Sequence, residues 1–209
     1  MATDRVELFT GGRGMGKTSL LLASLSGYAR IIVWSPLEQR DHYARRLNGQ
    51  LVRTLGALLA ALDAAPGRTP AVIVYHPQAV AVDCPEFTHF CQAVFAWGHC
   101  AAVVEELASV THTGKAPEWW GRLLREGRGE PLRVEIFATT QRPQECDKTI
   151  LGNVTRLCAF RLKRHRDREL MAGEMGLDVK MLHALPPYEW YETDDFGNVT
   201  HGKLTQSQA

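Results

Sequence analysis

The sequence contains no long hydrophobic run: nowhere does it approach the ~18 uninterrupted apolar residues that a membrane span requires. Stable membrane insertion is therefore not expected. The chain also lacks net charge. Its 24 basic and 23 acidic side chains leave a formal +1, which excludes a wrapper that neutralises nucleic-acid phosphates over its whole surface and leaves room only for a contact confined to a loop or pore. Cysteine is sparse and unpaired in spacing: five residues from Cys84 to Cys158 with no CxxC, the usage of reduced thiols in a cytosolic chain and not of a disulfide scaffold. There is no internal repeat or low-complexity tract, and the opening residues mix both charges before running into glycine, unlike a signal peptide. What is present is an ordinary globular composition, 45% hydrophobic and 22% charged over 209 residues. A chain of that size buries roughly 70% of the surface its unfolded form exposes and needs no staple.

Short apolar runs alternate with helical periodicity along most of the chain. Residues 5–10, 30–34, 71–76, 101–105, 134–140 and 156–162 read as strands, each bounded by turn residues. Helices are expected over 17–26, 37–47, 54–64, 86–97, 117–125, 148–154 and 167–175, with Phe87, Phe90, Cys91, Val94 and Phe95 on one face of the fourth. Strands that are apolar throughout and alternate with helices imply an α/β fold with a mostly parallel sheet covered on both faces. The last residues change character: 188–193 and 199–204 flank Asp194-Asp195-Phe196-Gly197-Asn198, a hairpin signature. The expected organisation is one domain over 1–185 with a C-terminal hairpin and tail over 186–209.

Gly11-Gly12-Arg13-Gly14-Met15-Gly16-Lys17-Thr18 matches G-x-x-x-x-G-K-[ST] between an expected strand and an expected helix, the setting of a P-loop. Glycines let the backbone curl until several N–H groups point at phosphate oxygens. Lys17 then reaches the β- and γ-phosphates, the Thr18 hydroxyl ligates Mg²⁺, and the helix N-terminus, with Ser19 in its first turn, adds partial positive charge. A glycine-rich turn that fits by chance is the bland alternative, and the strand–helix setting argues against it. ATP and Mg²⁺ are the expected ligands.

Hydrolysis needs a further acidic group near the metal and a base for water. Residues 101–106 offer an apolar strand ending in two carboxylates, Glu105 to hold Mg²⁺ and Glu106 to polarise the attacking water. A strand that simply ends at solvent in charged residues would look the same. Residues 137–143 form another apolar strand ending in Thr139-Thr140-Gln141-Arg142-Pro143. If this strand lies between the P-loop strand and the Glu-Glu strand, Gln141 emerges beside the γ-phosphate, where its amide can orient water or sense hydrolysis.

The P-loop, the Glu105-Glu106 strand and ATTQRPQECDKTILGNVTRLCAFRL at 138–162 together resemble the FtsK–HerA superfamily of DNA-pumping P-loop ATPases. Within it the chain is most similar to the packaging ATPases of tailless icosahedral viruses with an internal membrane, over residues 5–170. The resemblance implies a RecA-like fold with an additional strand, assembled as a homo-oligomeric hexameric ring. It also implies ATP-driven translocation of double-stranded DNA into a preformed capsid, with a capsid-vertex or portal-type viral protein as partner. The place of action would be the host cytoplasm during assembly, with retention at a packaging vertex of the virion. By the same resemblance Lys17 and Thr18 are the phosphate and magnesium residues, Glu105 stands where the family has Asp, Glu106 is the catalytic glutamate and Gln141 the sensor. The family's trans-acting arginine finger matches best at Gly127-Arg128, with Arg122, Arg125, Arg133 and Arg142 left open. A filamentous-phage-type assembly ATPase and a P-loop small-molecule phosphotransferase are the alternative readings.

Other constellations are weaker. The basic run Arg161–Arg168 suits either DNA phosphates in a channel or a subunit interface. Lys115, Trp119 and Trp120 suggest a second channel loop, although tryptophan pairs more often pack than grip. Cys84, His89, Cys91, His99 and Cys100 match no standard zinc spacing. Asp195-Phe196-Gly197 is similar to a kinase magnesium motif but lacks its companions and reads as a hairpin turn.

Overall fold

Successive side chains of a strand point to opposite faces, and in the central strands of this chain both sets are mainly apolar. In β1 (Val6–Thr10), Val6 and Leu8 enter one core and Phe9 the other; in β2 (Arg30–Trp34), Ile32 and Trp34 oppose Ile31 and Val33. The same split recurs in β5 (Cys100–Val104) and β6 (Val134–Thr140), so neither face of the sheet can be left to water. The computed structural model describes residues 5–37 and 42–205.

Among the described residues nine strands form one sheet in the order β3-β4-β2-β5-β6-β1-β7-β8-β9. β3 (Gln50–Val52), β4 (Ala71–Tyr75) and β7 (Arg156–Phe160) join β1, β2, β5 and β6 in parallel; β8 (Glu189–Asp194) and β9 (Val199–Lys203) add an antiparallel hairpin along β7. One face is covered by α1 (Lys17–Ser24) through Leu20 and Leu21 and by α2 (His42–Leu47) through Tyr43. The other receives α3 (Leu55–Asp63), α4 (Pro85–Trp97), α5 (Glu118–Arg122), α6 (His165–Met175) and α7 (Val179–Ala184). On that side Trp34 anchors an aromatic cluster, with Phe87, Phe90 and Tyr75 rings 5.1, 5.4 and 5.7 Å away. All five cysteines are free and buried.

The α/β sheet with helices on both faces is as expected, and departures are local. The hairpin is bonded to β7 from Arg156↔Asp194 to Phe160↔Trp190, so it widens the sheet. The short edge strand β3 and the six-residue α7 were not anticipated. Of the helix expected over 37–47, residues 38–41 lie outside the described residues, Leu37 is in a turn, and the described helix starts at His42. The helix expected over 117–125 widens after Arg122 into a π-helical turn, Leu123–Gly127. The strand expected to run to residue 162 stops at Phe160, and α6 starts two residues earlier than expected.

The helix expected over 148–154 shrinks to a 3-10 turn, Leu151–Asn153, for an identifiable reason. Asp147 is fully buried and its carboxylate accepts from the Trp120 indole at 3.0 Å and from the N–H groups of Thr149 and Ile150 at 3.0 and 3.3 Å. A local side-chain acceptor of this kind competes with helical bonding. Burial pushes the Asp147 carboxyl above its ordinary value, opposed by these hydrogen bonds. The same contact settles Trp120 as core, while Trp119 stacks edge-on against Phe95 at 5.7 Å. Replacing Asp147 with Ala strips an acceptor from two buried donors and a half-buried one and should lower stability by about 3 kcal/mol. Asp147→Asn, which keeps one acceptor oxygen, should lose markedly less; urea unfolding of the two variants checks this.

Candidate nucleotide site

The loop between β1 and α1 is pinned on both sides. Gly11 N–H donates to the Thr140 carbonyl at 3.2 Å, at the end of β6, and Gly12 N–H to the Arg161 carbonyl at 2.9 Å, just past β7. Only glycine fits at Gly11, where φ is 149° and a Cβ would lie 2.6 Å from that of Phe160. The N–H groups of Gly14, Met15 and Gly16 have no acceptor among the described residues. Together with the start of α1 they are donors of the kind an anion cradle uses.

Lys17 is buried beneath this loop, its ammonium donating to the carbonyls of Gly11 at 2.8 Å and Gly12 at 3.0 Å. Burial lowers its pKa to about 8, against the opposing pull of the Glu106 and Glu105 carboxylates. Thr18 and Ser19 follow on the first turn of α1, both half-buried.

β6 lies between β1 and β5, the arrangement that the sensor reading required. Glu106 turns the chain at the end of β5 with φ 53°, its N–H donating to Thr139 Oγ1 at 3.1 Å. Its carboxylate is held by Gln141 twice: the backbone N–H donates to Oε1 at 3.0 Å and the side-chain Nε2 to Oε2 at 3.1 Å. Glu105 accepts from the Ser35 hydroxyl at 2.9 Å. Arg13, Gly14, Lys17 and Thr18 from the loop side and Glu105, Glu106, Thr139 and Gln141 from the strand side line one cavity of about 390 Å³, with Leu37 and His42 at its edge. Thr18 and Glu105 offer the hard oxygen donors that Mg²⁺ takes alongside substrate phosphates and water.

Arg128 is not part of this constellation. It donates to the backbone and side-chain oxygens of Asn153, 3.4 and 3.2 Å away, near the start of β7 and so at the opposite end of the sheet. Arg122 pairs with Glu126 and lies over Trp119, Arg125 lies against Gly121, Arg133 pairs with Glu130, and Arg142 pairs with Glu145 just beyond Gln141. The basic run leaves β7 beside the loop: Arg164 pairs with Glu145, Arg168 donates to the Leu162 and Lys163 carbonyls, and Asp167 is buried against the Gln144 N–H.

Sequence reasoning missed Ser35, Thr139 and His42. Ser35 is in the sequence only one of the turn residues bounding the strand at 30–34; the usable signal was that polar residues at the carboxyl ends of parallel strands face the binding crevice.

No family model matches the sequence. Protein P9 of Pseudoalteromonas phage PM2 is 33% identical to it over 199 residues, an alignment that covers 86% of this chain and 80% of that protein. The chain belongs to the family of Protein P9. Among solved structures it is similar to the genome packaging NTPase B204 of Sulfolobus turreted icosahedral virus 2 in complex with AMPPCP. That likeness has a TM-score of 0.78 at 13% identity and covers 97% of this chain and 99% of that one. VirB4 of Thermoanaerobacter pseudethanolicus shares the fold with a TM-score of 0.63 at 12% identity, covering 99% of this chain and 92% of its own.

The pKa of Lys17 makes anion binding pH-dependent. Phosphate favours the charged ammonium, so a triphosphate nucleotide should bind best below pH 8 and lose up to about tenfold in affinity per unit above it, taking up one proton. Calorimetric titration in two buffers of different ionisation enthalpy measures that uptake directly.

Proposed function

We propose that this protein is a Mg²⁺-dependent ATPase of the FtsK–HerA type, the subunit of a viral motor that drives double-stranded DNA into a preformed capsid. The observation that carries the reading is the convergence of an anion cradle, a buried lysine and a Gln141-held glutamate on one cavity. The shared fold with a genome packaging NTPase supports the packaging role. The ring, a hexamer by resemblance, a capsid-vertex or portal-type partner and action in the host cytoplasm belong to the same proposal.

The chain's own residues divide the work. The Gly14–Gly16 N–H groups and Lys17 hold the β- and γ-phosphates and fix the γ-phosphorus against the β5–β6 side of the cavity. Glu106 accepts the proton of a water attacking that phosphorus as the bond to ADP breaks. Gln141, bonded to both carboxylate oxygens, sets where Glu106 points and reports through β6 whether phosphate is present. Mg²⁺, held by Thr18 and Glu105, would neutralise charge on the phosphates, and Ser35 orients Glu105 for it. Arg128 lies too far from its own cavity to act there, so as a finger it serves a neighbouring copy.

Glu106→Gln should bind ATP as the parent does but hydrolyse it roughly 10²–10⁴-fold more slowly. Gln141→Ala should lower kcat with little change in nucleotide affinity, since it frees the carboxylate without touching the cradle. Steady-state turnover should rise with protein concentration and again with double-stranded DNA. Near-parental turnover in Glu106→Gln, or phosphate passing to a nucleoside or sugar and not to water, overturns the reading.

A further inference from the structure

The phosphate loop has a third anchor, and it comes from the C-terminal hairpin. Tyr188, the residue before β8, donates its backbone N–H to the Met15 carbonyl at 3.1 Å, and in turn accepts from the Leu204 N–H at 2.9 Å, just past β9. Tyr188 sits at φ 66°, a conformation that a bulky residue adopts only when its surroundings impose it. Gly16 lies flush on the same residues: a Cβ there would fall 2.7 Å from Leu204 Cδ1 and 3.2 Å from Tyr188 Cδ1. Leu204 is buried in the core shared with α1.

The direction of the bond matters more than its strength. In a trans peptide the carbonyl of one residue and the N–H of the next point opposite ways. Tying the Met15 carbonyl to Tyr188, outside the cradle, turns the Gly16 N–H inward. A loop released from this contact is free to rotate that peptide and present a carbonyl oxygen to the phosphates.

We propose that the root of the C-terminal hairpin is a working part of the nucleotide site, with Tyr188 and Leu204 as positioning residues that hold the Met15–Gly16 peptide in its anion-binding orientation. The inference rests on the nucleotide-binding reading above. It gives the hairpin a role beyond closing the sheet, and binding and hairpin seating become reciprocally linked.

Two substitutions in the full chain separate the parts. Leu204→Ala removes the packing under Gly16; Tyr188→Gly removes the ring while keeping the N–H and the left-handed backbone. A fluorescent ATP analogue should bind Leu204→Ala roughly tenfold more weakly, with kcat at saturating ATP nearly unchanged. Tyr188→Gly should lose less, because Leu204, the nearer of the two contacts on Gly16, stays in place. In the parent protein, bound nucleotide should slow amide hydrogen exchange at the Tyr188 and Leu204 N–H groups. A hairpin that matters only to folding would instead lower the thermal midpoint, leave affinity within about twofold, and show no nucleotide-dependent exchange; that result overturns the proposal. If Leu204→Ala fails to fold, Leu204→Val and the exchange measurement on the parent still decide. A parent protein that binds no nucleotide defeats the functional reading itself, whereas binding that ignores both substitutions defeats this inference alone.

Discussion

The parallel register of β5, β6 and β1 is the constraint on which the rest of the structure depends. Val104 lies beside Ala138, and Thr10 beside Thr140, so three strands reach the same end of the sheet within a residue or two of one another. From there Glu105 and Glu106, Gln141 and Gly11 each emerge on the first free residues past their strands. Shifting β6 by one residue would exchange its two faces and carry Gln141 away from Glu106. Burial on both faces makes that slip costly: Ile136 and Phe137, on opposite sides, are both fully enclosed.

One buried charge inside this frame is paired on both sides. Glu7, in the central strand and 1% exposed, lies between Arg5 and Arg156, and Arg156 also reaches Glu192 on the hairpin. These contacts bind β1, β7 and β8 at the end of the sheet away from the phosphate loop. At the other end the balance is deliberately incomplete. Lys17 has carbonyl oxygens as direct partners and feels the two glutamates only at a distance, so an anion bound at the loop would complete its pairing.

Much of this was legible in the sequence because it is local. The phosphate loop is a contiguous octapeptide, the central strands are short apolar runs with clear stops, and both Glu105-Glu106 and Gln141 follow such runs directly. Their meeting depended on strand order, which composition does not encode: Gln141 could be placed only on the condition that its strand lay between the other two, and the sheet meets that condition. What escaped was set by tertiary contact. β3 exists because Gln50–Val52 find the edge of β4, and Ser35 acquires a role only because β2 lies beside β5. Tyr188 meets Met15 across most of the chain's length, a pairing that no spacing rule announces. Trp119 and Trp120 went the other way: a pattern open to nucleic-acid grip turned out to be packing once Asp147 and Phe95 were seen beneath it.

The buried cysteines carry a practical corollary. A thiol reacts as its thiolate and only where a reagent can reach it. Cys100 and Cys146 are pushed to about 12 by burial, Cys91 and Cys158 are raised well above the ordinary thiol value, and Cys84 is enclosed with them. Those four thiols should therefore react slowly with alkylating reagents and report opening of the cores, whereas Cys84 borders a surface cavity. A cysteine engineered at the hairpin tip in place of Phe196, which is 90% exposed, would be far more accessible than any native thiol, all five of which are buried. One dye there would watch the far end of the strand pair whose near end touches the phosphate loop.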